Sequence, residues 1–303
     1  MPMPDARRTA RTAMLAMVAV LAAPGDIANA ADRYWPPIVD PATGHHTPGR
    51  WVWADLVTSD VAVAADFYGK VFGWTFETYG GEDDRDTYTL ALAAGLPVGG
   101  MMFDQRALKD NVPSARWIGL VSVPDVHAAA DAVNKGGGKV VYPPKALGER
   151  GETAVFRDPE GTLFGAVHSK NGDPDDYAGD LNEWLWLDLW TSDVERAVKF
   201  YSVVVGYDVL PVQQDRRRSG VRLVSGGFAR AGIMQKADAR DTALWLPYLR
   251  VADARAAADK ARAAGGKVLR EPVSLGRLMV AVVADPTGAP VGIAQLNEQE
   301  APQ

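Results

Sequence analysis

The chain has 303 residues, 47% of them hydrophobic and 23% charged, and a formal net charge of −6. That is the composition of a globular protein long enough for about two domains with sizeable cores. The acidic balance argues against a nucleic-acid partner, which needs clustered Lys and Arg; the run Arg216-Arg217-Arg218 reads as a solvated hairpin tip, and the absence of Cys removes disulfides, thiolate nucleophiles and thiolate metal sites.

The N-terminus reads as a targeting segment. Arg7, Arg8 and Arg11 form a positive region, Ala13 to Ala23 is an apolar run too short to span a bilayer, and Ala28-Asn29-Ala30 fits a small-x-small cleavage site. Residues 1–30 are therefore expected to be a secretion signal, by the ordinary or the twin-arginine route, and the protein to be exported, periplasmic or extracellular. No later segment is apolar enough to anchor it, so no membrane association is expected after signal removal. Residues 31–48, with Pro36-Pro37, Pro41 and Pro48, read as an extended lead-in.

From residue 49 a first domain is expected to run to residue 170. In WADLVTSD, Trp53, Asp55 and Val57 alternate with Ala54, Leu56 and Thr58, a period that suits a strand. Ser59 and Asp60 are helix N-cap types, Val61 to Phe72 has helical apolar spacing, and Gly73 stops the helix. YTLALAAGLPVGGMMF reads as a hairpin turned around Gly95-Leu96-Pro97. Trp117 to Val123 is a further strand, Asp125 to Lys135 a further capped helix, and KVVYPP, TAVFRD and LFGAVH three more strands. Residues 171–182, rich in Gly, Pro and Asp, read as a linker.

The second domain, residues 183–298, repeats the first. WLDLWTSD from Trp186 answers WADLVTSD from Trp53 at a spacing of 133 residues. Phe67-Tyr68 matches Phe200-Tyr201, and Gly73-Trp74 matches Gly206-Tyr207. WIGLVSVPDVHAAADAVNKGGGKV corresponds to WLPYLRVADARAAADKARAAGGKV, and FRDPEGTLFG to VADPTGAPVG. Ser192 with Glu195 is expected to form a capping box. DPEG and DPTG are turns, because Pro fixes φ, Gly allows positive φ and Asp bonds back to the backbone. The whole reads as a βαβββ module occurring twice per copy and four times per chain, an α+β fold.

Paired modules carrying T-x-D, FY followed by G-[WY], a late GG-K-V and DP-x-G-x-x-x-G resemble the vicinal oxygen chelate superfamily. That group includes glyoxalase I, extradiol dioxygenases, fosfomycin-resistance proteins and bleomycin-binding proteins. The resemblance covers nearly the whole chain beyond the N-terminal segment. It implies two glyoxalase/bleomycin-resistance/dioxygenase-like domains, each with a cupped mixed sheet around one cavity. Metal-using members take a His or similar ligand from the first strand and a Glu seven residues after the Asp of DP-x-G. On this sequence those positions are Trp53 and Gly165 in the first copy, Trp186 and Gly292 in the second. Neither residue type can ligate a divalent cation, so no cofactor is expected, with a divalent metal at substitute ligands as the minor alternative.

The four histidines offer little instead. His45 and His46 lie in the lead-in as a flexible solvated pair, His127 sits in a helix, and His168 has the strand parity that faces away from the cavity. Asp55 and Asp188 share the inward face of Trp53 and Trp186. Each either accepts hydrogen bonds from backbone or Trp N–H groups, or acts as a polar handle or general base with a raised pKa. The nine Trp residues include Trp51, Trp117, Trp184, Trp190 and Trp245 on expected strands. Core packing explains most of them, yet rings in place of ligands favour a flat or apolar ligand. Trp53, Asp55, Trp117, Gly165, Trp186, Asp188, Trp245, Tyr248 and Gly292 are the expected ligand-binding positions, with Asp55 and Asp188 the catalytic candidates.

Three functions stay open on the sequence: a small-molecule-binding protein without a metal, a glyoxalase- or dioxygenase-like enzyme, and a scaffold with closed pockets. The partner expected is a small molecule, and the chain is either a monomer with an internal pseudo-dimer or a homodimer.

Overall fold

The computed structural model describes residues 34–80, 87–104, 115–177, 179–211, 220–238 and 241–296. The expected signal at residues 1–30 and the run Arg216 to Arg218 lie outside them. The first copy supplies β1 (Trp51–Thr58), α1 (Val61–Phe72), β2 (Thr75–Tyr79), β3 (Tyr88–Ala93), β4 (Leu96–Phe103), β5 (Arg116–Ser122), α2 (Val126–Lys135), β6 (Lys139–Ala146), β7 (Gly151–Arg157) and β8 (Leu163–Ser169). The second supplies β9 (Trp184–Thr191), α3 (Val194–Val204), β10 (Asp208–Pro211), β11 (Gly220–Ser225), β12 (Phe228–Gln235), β13 (Leu244–Arg250), α4 (Ala254–Ala263), β14 (Lys267–Leu275), β15 (Leu278–Ala284) and β16 (Pro290–Leu296). Each copy forms one mixed sheet of eight strands, ordered β2-β3-β4-β1-β5-β8-β7-β6 and β10-β11-β12-β9-β13-β16-β15-β14. The four βαβββ modules and the α+β class stand as the sequence implies.

Each helix starts at an aspartate. Asp60, Asp125, Asp193 and Asp253 accept from backbone N–H groups of the first turn at 2.8–3.0 Å. The expected capping box at Ser192 is corrected by one residue, because Asp193 is the N-cap. Ser192 is held instead by Glu160 of the first copy's DPEG turn, which accepts from its backbone N–H and its hydroxyl. The β3–β4 turn is also tighter than expected: Ala94 and Gly95 both have positive φ, and Leu96-Pro97 begin β4.

The helix-bearing faces of the two sheets meet at the centre of the molecule. One core joins α1 with α4 through Phe67, Tyr68, Trp74, Trp117, Ala258 and Ile293. The other joins α2 with α3 through Val133, Phe164, Phe200, Tyr201 and Trp245. Side chains alternate across a strand, so the remaining residues of each sheet face outward on opposite sides. They line two cups with separate apolar clusters, one around Trp53, Tyr88 and Leu120, the other around Leu246, Tyr248 and Ala294.

The lead-in does more than precede the fold. Trp35 and Ile38 are buried in the apolar cluster of the first cup. Downstream, Asp173 from the linker is fully buried and accepts from Thr47 N at 2.7 Å and Ser169 Oγ at 2.8 Å. Residues 34–47 thus form a strap clamped to the first domain.

Candidate functional site

β1 and β9 place the same pair in each cup. The indole N–H of Trp53 donates to Asp55 Oδ1 at 2.9 Å, and that of Trp186 to Asp188 Oδ1 at 2.7 Å. Opposite these acids stand Gly100 and Gly232 on the neighbouring strands. A Cβ at Gly232 would run into Asp188 Oδ1, so the glycine makes room for the carboxylate. Gly165 and Gly292, the positions where the resemblance places a carboxylate ligand, are likewise filled from the adjacent strand. Their Cβ atoms would run into Leu120 Cδ2 and the Tyr248 ring respectively. The residues present do not fit a metal ion: one ligand position holds an indole already engaged with its own aspartate, and the other lies beneath a neighbouring side chain. Among the described residues no group of three or more His, Asp or Glu is arranged to hold one.

The two cups differ sharply in what fills them. In the first, the backbone turns at Gly148–Arg150 and at Gly151, with φ of 98°, and sends Arg150 inward. Arg150 is 0% exposed and donates to Asp55 Oδ2 at 3.1 Å, to the Tyr88 hydroxyl at 2.6 Å and to Pro36 O at 3.2 Å. Its guanidinium lies 4.8 Å from the Trp53 ring centroid, 5.1 Å from Tyr88 and 5.4 Å from Trp35. Burial opposes its charge, but Tyr88 and Asp55 outweigh that and hold its pKa above the ordinary arginine value, while burial pushes the Tyr88 phenol up. Trp35, 7% exposed, sits with its centroid 5.2 Å from Tyr88. The first cup is therefore closed by the strap and by a buried ion pair.

In the second cup the same positions read differently. Gly220 stands where the first copy has Tyr88, Arg222 where it has Leu90, Tyr248 where it has Leu120, and Leu278 where it has Gly151. Without that glycine the β14–β15 connection is a tight turn through Gly276 and Arg277, and Arg277, the counterpart of Arg150, is exposed. Asp188 is left partly buried, in no ion pair within 4.0 Å among the described residues, and bonded to Trp186. The exposed Arg222 holds its guanidinium 5.4 Å from the Trp186 ring centroid. Trp190 Nε1 is buried with no partner among the described residues. Val273, Leu275 and Leu296, 41–48% exposed, share the face of Val280 and Val282 through their strand pairings and extend the apolar lining to the edge of the sheet.

Burial pushes the Asp188 carboxyl up to about 6, opposed by the Trp186 N–H and by Arg222. An unfolded Asp titrates near ~3.9, so between these values the folded state holds the extra proton, and stability falls as pH rises through the window. Above it the ionised carboxylate costs up to about 3 kcal/mol. Asp188→Asn keeps an acceptor for Trp186 and should raise the thermal midpoint at pH 8 with little change at pH 4. An equal shift at both pH values would contradict this assignment.

Comparison with known proteins agrees with the fold. Residues 50–165 match the family model described as the Glyoxalase/Bleomycin resistance protein/Dioxygenase superfamily, and residues 184–294 match the model of a Glyoxalase-like domain. The chain is a tandem member of the vicinal oxygen chelate superfamily. This tandem protein is 29% identical over 252 residues to CFP32 of Mycobacterium tuberculosis, a glyoxylase by name, covering 82% of this chain and 95% of that one. It is 28% identical over 265 residues to the anthracycline biosynthesis protein DauV of Streptomyces sp., covering 83% and 94%. Among solved structures it is similar in fold to the Mn(II)-bound glyoxalase from Novosphingobium aromaticivorans, with TM-score 0.57, 18% identity and 83% of each chain covered. It also shares the fold of the 2,3-dioxygenase LapB from Pseudomonas sp. KL28, with TM-score 0.56, 14% identity, and coverage of 85% and 95%.

Other sequence expectations for this tandem protein land away from the cups. Trp117 and Trp245 are corrected from cup residues to core residues: each pairs across the sheet with the helix-facing Leu56 or Leu189, and each indole donates to a helix tyrosine, Tyr68 at 2.7 Å or Tyr201 at 2.8 Å. His168 faces out of the cup, as its parity implies. The solvated reading of His46 is corrected, since it stacks on His168 at 4.3 Å and its Nε2 meets Ser169 O at 2.9 Å. Reasoning from the sequence missed Trp35, Tyr88, Arg150 and Arg222. The signal that could have found them is the set of places where the two copies disagree, Tyr88 against Gly220 and Gly151 against Leu278 above all.

Proposed function

We propose that the protein is an exported small-molecule-binding member of this superfamily that uses its second cup to hold a flat, largely apolar ligand without a metal ion. The observation that carries this reading is the asymmetry of the cups: the first is filled by its own strap and the Asp55–Arg150 pair, while the second keeps, among the described residues, an aspartate in no ion pair, an indole N–H without a partner and an apolar rim. An orphaned buried donor and a lone carboxylate are costly unless a ligand satisfies them. Likeness to a protein of anthracycline biosynthesis is in keeping with a polycyclic aromatic ligand. Metal-free binding is supported by the glycines Gly165 and Gly292, whose space neighbouring side chains occupy. Export is supported by the charged, then apolar, N-terminus and its small-x-small site.

Titration with 2-naphthamide, a neutral planar probe, followed by Trp fluorescence, tests the binding reading. A single saturable site per chain with affinity in the micromolar to millimolar range is expected, since ring burial is offset by association entropy. Val282→Trp, which fills the second cup, should abolish it. No saturable quenching, or two equivalent sites, would overturn the proposal, as would a stoichiometric metal in elemental analysis of the purified protein.

The Asp188 carboxyl, with its raised pKa and no ion-pair partner among the described residues, also supports a second reading, a general base acting on a ligand proton in the same cup. It requires a turnover that rises with pH through about 6 and vanishes in Asp188→Asn.

A further inference from the structure

The first cup shows what the shared architecture does with an aspartate beside a tryptophan: it seats a planar cation. There the guanidinium of Arg150 meets Asp55 Oδ2 at 3.1 Å and lies 4.8 Å from the Trp53 ring centroid. The second cup repeats the receptor, Asp188 with Trp186, but among the described residues no cation makes a hydrogen bond or ion pair to its acid. Its counterpart arginine, Arg277, is exposed at the β14–β15 turn, and the strap residues Trp35 to Ile38 belong to the first cup. Gly220 in place of Tyr88 removes the hydroxyl that, in the first copy, donates to the acid.

We infer that the second cup selects a planar aromatic cation, an amidinium, guanidinium or protonated aromatic amine, whose N–H groups take on Asp188 the place that Arg150 takes on Asp55. This inference rests on the binding reading above and names its ligand class. The cation bonds to the carboxylate oxygen not held by Trp186, its ring lies along the apolar rim of Val280, Val282 and Leu278, and an acceptor on the ligand satisfies Trp190 Nε1–H. Charge-assisted bonds of this kind are about twice as strong as neutral ones and gain further where water is excluded. The neighbours of Asp188 set its charge state: β12 presents Gly232 and β13 presents Leu246 directly opposite, and Arg222 of β11 is the cation whose field reaches it. Arg222 is exposed, its guanidinium is 5.4 Å from the Trp186 ring centroid, and it makes no hydrogen bond to the acid among the described residues.

The test uses three isosteric probes on the full chain: 2-naphthamidine, 2-naphthamide and 2-naphthoate, titrated by Trp fluorescence and calorimetry. At pH 8 the amidine should bind about 10-fold or more tighter than the amide, and the carboxylate weakest. The advantage of amidine over amide should shrink about 10-fold at pH 5, where Asp188 is protonated, and it should disappear in Asp188→Asn. Arg222→Leu, the residue at this position in the first copy, should strengthen amidine binding, because a like charge leaves. Equal affinity for amidine and amide, tighter binding of the carboxylate, or a preference that survives Asp188→Asn would overturn the inference while leaving the binding reading intact. If no probe binds, and Val282→Trp changes nothing, the binding reading itself falls.

Discussion

Arg150→Ala is expected to destabilise the protein by about 3–5 kcal/mol, because it strands the carboxylate of Asp55 in an apolar cup. Arg150 is fully buried, and Asp55 loses the partner of Oδ2 while keeping only the Trp53 N–H and Tyr88 hydroxyl on Oδ1. Pro36 O also loses its donor, so the strap is loosened at the same time. Chemical denaturation read by Trp fluorescence measures the loss. The double variant Asp55→Leu/Arg150→Met removes both charges and should recover most of it, since a buried ion pair replaced by apolar groups of similar volume is often neutral or better. A loss below about 1 kcal/mol in the single variant would mean that the cup admits water and the pair is not buried in solution.

Trp35→Ala is expected to cost about 3 kcal/mol or more and to open the first cup. The indole packs on Tyr88 and beside Arg150, and its removal leaves a ring-shaped void whose walls the sheet cannot move together. Free indole at concentrations well above its dissociation constant should raise the thermal midpoint of the variant by more than that of the wild type, because only the variant adds a vacancy in the first cup to the site in the second. A full loss with no rescue would show that the strap peels away as a unit and that the cup collapses behind it. The pair of experiments separates the two parts of the closure: Arg150 supplies the charge that neutralises Asp55, and Trp35 of the strap supplies volume.

The closed and open cups of one chain are a consequence of duplication followed by local divergence. Both copies keep the aspartate, the tryptophan and the glycine opposite or beside them, so the polar centre of each cup is the same. What differs lies at the rim: Gly151 against Leu278 decides whether an arginine turns inward, and a single strap follows from there being a single lead-in. Closing one cup also has a packing consequence. The strap covers the outer face of a sheet whose other face is already committed to the central cores, so sheet one is covered on both sides while sheet two is left with an apolar face at its edge strand.

The alternation in WADLVTSD and WLDLWTSD, the aspartate caps, the glycine stops and the repeat spacing determined by themselves the order of elements, the four modules and the presence of an acid beside a ring in each cup. They did so because strand parity and helix capping are local properties, readable from a few consecutive residues. The same local evidence made Trp117 and Trp245 look like cup residues, since a tryptophan on a strand carries no mark of which face is inside until the strand pairing fixes its parity. Only the tertiary structure decided which cup is closed. Arg150 reaches Asp55 across 95 residues of sequence and Trp35 reaches Tyr88 across more than fifty, and contacts between segments so far apart are set by how the sheet curves and where the strap lies. That long-range geometry leaves Asp188 without an ion-pair partner among the described residues, although its local sequence scarcely differs from that around Asp55.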